Sequence, residues 1–155
     1  MITPYHTSPD GRIVVYHARW EDVHAAGLVP VEQVKLVHAD PPYGVNERTE
    51  RKANGRGAKP SGSPRLNYTG VVSQRDFPRV HGDDRPFDPA LLLALDRPTV
   101  LWGANHYSDR VPGSPSWIIW DKRESTTPDD NADGEAAWTN LGGPLRFFRH
   151  LWRGT

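Results

Sequence analysis

Asp40, Pro41, Pro42 and Tyr43 form the one tetrapeptide of the chain whose residue types and order point to a specific chemistry. They close the apolar run of "VKLVHADPPYGV", which reads as a buried strand stopping at Ala39 or Asp40. The two prolines fix φ and remove both N–H donors, while their carbonyls remain free to accept hydrogen bonds. Asp40 adds an acceptor-only carboxylate, and Tyr43 offers a flat ring. Rigid acceptors beside a stacking surface suit an aromatic amine, such as the exocyclic amino group of a nucleobase. The bland alternative is a strand-ending turn, since Asp, Pro and Gly punctuate loops of every kind.

The elements that position this tetrapeptide are expected to be strands and short helices. "GRIVVYHARW" reads as a first strand centred on Ile13, Val14 and Val15, and "EDVHAAGLVP" as a short helix ended by Gly27 and Pro30. With the strand before Asp40, the opening is β-α-β, which calls for a parallel sheet and a right-handed crossover. Ligands of such sheets collect at the carboxyl ends of strands, where Asp40 falls. Downstream, Asp88 and Pro89 make a strong helix start, and Asp96 to Pro98 a stop. "TVLW", "SWIIWDK" and the alternating "LRFFRHLW" read as further strands. The expected fold class is therefore three-layer α/β with a mostly parallel sheet, Rossmann-like, in a single domain over 1–155.

Between Gly44 and Asn67 the apolar pattern dissolves into a Gly-, Ser- and Pro-rich stretch. It carries Arg48, Arg51, Lys52, Arg56, Lys59 and Arg65 against Glu47 and Glu50. Either it is a solvated insertion, or it is a mobile basic arm that closes on phosphates, with Arg48, Arg51, Lys52 and Arg56 as the DNA-binding candidates. The chain as a whole has zero formal net charge, so any polyanion must be held by such local patches. The lack of cysteine excludes disulfides and thiolate zinc sites and fits a reducing cytoplasm. No stretch approaches the roughly 20 apolar residues of a membrane span, so no membrane partner is expected. The histidines lack metal-ligand spacing, and no metal is expected.

The strand-DPPY-Gly44 pattern resembles the catalytic motif of S-adenosylmethionine-dependent methyltransferases acting on amino groups of DNA bases. The Asp form is typical of adenine methylases; the cytosine-N4 enzymes usually carry Ser, so cytosine is the weaker alternative. The order of "VLWGANHY", "WIIWDK", "EAAWTN" and "RFFRHLWRG" is similar to phage- and prophage-type adenine methylases, over roughly residues 12 to 154. The resemblance implies that Asp40 and the Pro41 carbonyl accept the adenine amine, that Pro42 fixes the turn, and that Tyr43 stacks on a base flipped from the duplex. Asn105 and His106, after the "LWG" strand, are expected to line the same cleft or to cap a loop. Trp102, Trp117, Trp120, Trp138 and Trp152 read as core before they read as stacking residues.

The resemblance also exposes a gap. The family's Phe-x-Gly-x-Gly loop, which wraps the methionine end of the cofactor, has no counterpart here. Gly142-Gly143 is followed by Pro144 rather than by a helix. Asp40 is thus the one residue bearing on the cofactor, a partial site. The chain looks like the first two thirds of such an enzyme: truncated, one lobe of a split methyltransferase needing a C-terminal lobe or second subunit, or a silent nucleic-acid-binding remnant.

Overall fold

The computed structural model describes residues 1–45, 80–122 and 132–150. The basic candidates Arg48, Arg51, Lys52 and Arg56, and also Trp152, lie outside the described residues. The chain divides into two compact units, Met1–Pro41 with Asp88–Thr155, and Pro42–Phe87. The border falls inside the tetrapeptide, between its two prolines.

The first unit opens with a hairpin of β1 (His6–Thr7) and β2 (Val14–Val15), paired antiparallel. Its loop is tied by side chains: the Ser8 hydroxyl donates to Asp10 (2.6 Å), whose carboxylate also accepts the Arg12 amide (3.1 Å). Helix α1 (Trp20–Ala25) follows. It ends where the sequence suggested, because Gly27 takes a left-handed φ of 69°. There the Gly27 amide donates to the His24 carbonyl and the Leu28 amide to that of Val23, which satisfies carbonyls the helix leaves open.

The main sheet contains β3 (Val37–Ala39), β4 (Thr99–Trp102), β5 (Trp117–Asp121), β6 (Gly134–Thr139) and β7 (Arg146–Arg149), with helix α2 (Ala90–Leu93) between β3 and β4. The strand order is β3-β4-β6-β5-β7. The pairs β3/β4 and β5/β7 are parallel, whereas β4/β6 and β5/β6 are antiparallel.

This arrangement overturns the expected three-layer, mostly parallel, Rossmann-like α/β fold. The first strand of the expected β-α-β unit is not in the main sheet; β2 pairs with β1 instead, and its Ile13, Val14 and Val15 are exposed. An apolar run marks a strand but not its partner, and these residues never join the core. The helices cannot form covering layers either, since α1 has six residues and α2 four.

Helix α2 starts one residue later than the sequence implied, with Pro89 rather than Asp88 at the N-cap, and it ends at Leu93, ahead of the expected stop at Asp96. Pro89 already has helical angles (φ −78°, ψ −5°), Asp88 accepts the Ala90 amide at 3.0 Å, and Leu93 donates to the Pro89 carbonyl. Asp96 then reverses the chain with a φ of 51°, a conformation Asp tolerates better than most residues.

The core lies around β4 and β6. Val100, Leu101, Ala137 and Trp138 are buried, joined by Leu92 of α2, Val23 of α1, and Ala104 and Tyr107 beyond β4. Leu101 and Trp138 are direct partners in the β4/β6 register. The Trp138 indole donates to the Pro112 carbonyl (2.8 Å), so this large ring enters the core with its one polar atom satisfied. Asn140 fixes the start of β4: its amide accepts from Thr99 N (2.7 Å) and donates to the Arg97 carbonyl (2.9 Å).

Candidate active site at the carboxyl ends of β3 and β4

Strands β3 and β4 run side by side in the same direction, with His38 beside Val100 and Ala39 beside Leu101. Their carboxyl ends therefore lie together. Asp40 and Pro41 leave β3 at this end, and Gly103 leaves β4. Gly103 is buried with φ 66°, which turns the chain into the single 3-10 turn Ala104–His106. Asn105 and His106 are exposed on that turn. The fold thus brings Asp40, Pro41, Asn105 and His106 to one end of one parallel strand pair.

Behind them sits Tyr107, 1% exposed, whose hydroxyl donates to the Trp102 carbonyl at 2.6 Å. Burial raises the pKa of this phenol well above its ordinary value, and the negative charge of Asp40 raises it further. Tyr107 is consequently a neutral hydrogen-bond donor at any physiological pH, and the Asp40 carboxylate lies within its field. The Trp102 indole turns the other way and donates to Nε2 of His38 at 2.8 Å, edge-on to the imidazole (centroids 6.4 Å apart, 88°). Nε2 of His38 is thus the acceptor of this hydrogen bond, and the indole N–H its donor. Neither Tyr107 nor His38 stands out in the sequence. The available signals were weak: Tyr107 follows Asn105 and His106 directly, and His38 precedes Asp40 by one strand period.

Pro42 and Tyr43 belong to the second unit, whose described residues fix the backbone just after them. Gly44 has φ 78°, and a Cβ on it would lie 2.5 Å from the Arg85 carbonyl oxygen and 2.7 Å from Pro86 Cα. Only glycine fits there. One carboxylate oxygen of Asp83, 5% exposed, accepts the amides of both Gly44 (2.8 Å) and Val45 (3.2 Å). A buried carboxylate demands such donors. Asp83 therefore sets the backbone just after Tyr43, a role the sequence gave no means of assigning.

The described residues do not fit the methionine end of S-adenosylmethionine. Gly142 and Gly143, with φ 75° and 89°, lie exposed between β6 and β7, and a Cβ on either would meet nothing within 4 Å. They lead through Pro144 into a strand, so they present no helix N-terminus to a polar ligand. Among the described residues no group of three or more His, Asp or Glu side chains could hold a metal ion. Nor is any described helix long and apolar enough to cross a membrane. The chain matches no family model, no curated protein and no solved structure. Its functional reading rests on its own residues.

Proposed function

We propose that the carboxyl end of the β3/β4 pair receives the exocyclic amine of adenine in DNA, and that the chain is the base-holding part of an S-adenosylmethionine-dependent DNA adenine methyltransferase. The observation that carries this reading is the position of Asp40-Pro41, an acceptor pair at the end of a parallel strand with the neutral phenol of Tyr107 packed behind it. An adenine amine is a poor nucleophile because its lone pair is delocalised into the ring. Accepting its two hydrogens at the Asp40 carboxylate and the Pro41 carbonyl favours a pyramidal nitrogen and orients the lone pair. The proline ring keeps the second acceptor free of any local N–H competitor. In the motif that the tetrapeptide resembles, the tyrosine at the position of Tyr43 stacks on a base that has left the duplex. What the cofactor would supply is an electrophilic methyl group; the described residues account for the base half of the reaction only. A chain free of cysteine fits work in a bacterial or phage-infected cytoplasm.

The test separates the two halves. Single-stranded oligonucleotides with one adenine, or with one purine lacking the amine, are compared for affinity. A preference of roughly tenfold for adenine is expected, the worth of one charge-assisted hydrogen bond. Asp40→Ala should erase it. A wild-type chain indifferent to the amine, or a preference that survives loss of the carboxylate, would overturn the reading. Calorimetry of the chain with S-adenosylmethionine should show weak binding, and a radiolabelled-methyl assay on mixed-sequence DNA little turnover until a glycine-rich cofactor lobe is supplied. Tight cofactor binding by the chain alone would place the pocket elsewhere. That no glycine cradle is found among the described residues favours a second reading, a nucleic-acid-binding protein without catalysis, for which adenine preference would persist but added lobes would restore no turnover.

A further inference from the structure

Strand β7, Arg146–Arg149, has the sequence RFFR, with every residue exposed and its outer edge unpaired among the described strands. Strand alternation puts Arg146 and Phe148 on one face of the sheet and Phe147 and Arg149 on the other. The two faces differ. On the second, Arg149 is held by Asp121 at 2.7 Å, and its guanidinium lies 6.0 Å from the Phe147 ring. On the first, the Phe148 ring lies parallel to Trp120 (6.1 Å, 6°). Trp120 is itself fixed, because its indole donates to the His150 carbonyl at 2.7 Å and the Lys122 ammonium sits 4.9 Å from its centroid. Lys122 is paired with Glu135, whereas Arg146 has no ion-pair partner among the described residues. Phe148 nonetheless keeps 42% of its surface in water.

We infer that the Arg146–Phe148 face of β7, backed by Trp120, is a stacking site for single-stranded nucleic acid. A rigid exposed ring beside an uncompensated cation offers what a base and its phosphate require, and the ring-on-ring support removes most of the ordering cost. Charge selects this occupant over a second copy of the chain. β7 itself carries two guanidiniums and no acid, and since only Arg149 is paired, joining two such edges would bring two unpaired Arg146 cations together. The ligand class follows from the DNA reading above, but the residues are others: Arg146, Phe148 and Trp120, the last edge-on to Trp102 (centroids 6.4 Å apart). Base specificity is not expected, because every base has a π face.

Fluorescence anisotropy with a labelled oligo-dT strand tests the inference on the full chain. Thymine has no exocyclic amine, so the result is independent of whether Asp40 holds adenine. Phe148→Leu keeps an apolar contact on Trp120 while removing the ring, and should weaken binding about tenfold. Arg146→Gln should lower the salt slope by about one. Phe147→Leu, on the opposite face, should leave the affinity unchanged. Equal losses for Phe147→Leu and Phe148→Leu, no oligo-dT binding by the wild type, or a dimer in sedimentation that Phe148→Leu dissolves would each overturn it.

Discussion

At the scale of single residues, Tyr107 shows how much of the candidate site depends on groups with no motif of their own. Its phenol is buried, bonded to the Trp102 carbonyl and raised in pKa by burial first and by Asp40 second. A phenol with a folded-state pKa above the unfolded value of about 10 stabilises the fold fully below that pH. That contribution disappears as the pH climbs from about 10 toward the folded value. Tyr107→Phe should therefore cost about 1–3 kcal/mol at pH 8, through the carbonyl left without its donor. It should also flatten the loss of stability between pH 10 and 11, which denaturant titrations at these pH values would show. Identical alkaline slopes in wild type and variant would mean the phenol does not couple to folding. The end of β3 at Ala39 was legible, because an apolar run closed by an acid and two prolines marks where a strand stops. Asp83 was not: it lies 39 residues beyond the amide it caps, and no local pattern connects them.

At the scale of elements, the strands that could be read were those dense in β-branched and aromatic residues. β4 coincides with "TVLW", while β5 and β7 fall inside the longer runs "SWIIWDK" and "LRFFRHLW" that were expected to be strands. β6 escaped notice because "GEAAWT" contains Gly, Glu and two Ala, types that are poor in strands on their own. Its partners make it a strand, since it is bonded on both sides, by β4 and β5. Gly134 records how tightly: a Cβ there would stand 2.5 Å from the Trp120 carbonyl oxygen. Gly134→Ala must push backbone against backbone and should cost about 2 kcal/mol or more. Gly142→Ala meets no neighbour and should cost only the left-handed strain of about 1–2 kcal/mol. Thermal unfolding of the two variants is the comparison to make. If Gly134→Ala is no worse than Gly142→Ala, close approach of β5 and β6 is not what excludes a side chain. Asp88→Ala should cost about 1 kcal/mol by removing the acceptor of the Ala90 amide at the start of α2, measurable in the same way.

At the scale of the molecule, periodicity could locate strands but not their neighbours or directions, and that is where the expected parallel architecture failed. The β3/β4 and β5/β7 pairs keep the parallel relation that a strand-end site requires, but β6 pairs antiparallel with both β4 and β5 between them. Charge is the other global property, and it sums to zero. A neutral chain has no long-range field to draw DNA, so the salt dependence of binding counts only the local phosphate contacts. The basic segment is therefore tested through its charge. Each phosphate neutralised contributes about 0.9 to the slope of log K against log salt on duplex DNA. Replacing Arg48, Arg51, Lys52 and Arg56 together with Gln should lower that slope by up to about three to four, with affinity falling most at low salt. The same substitutions should leave the adenine-over-purine preference intact, because that preference arises at Asp40 and Pro41. A slope that does not change would remove the basic segment from the DNA interface, and a lost adenine preference would show that the segment shapes the base site itself.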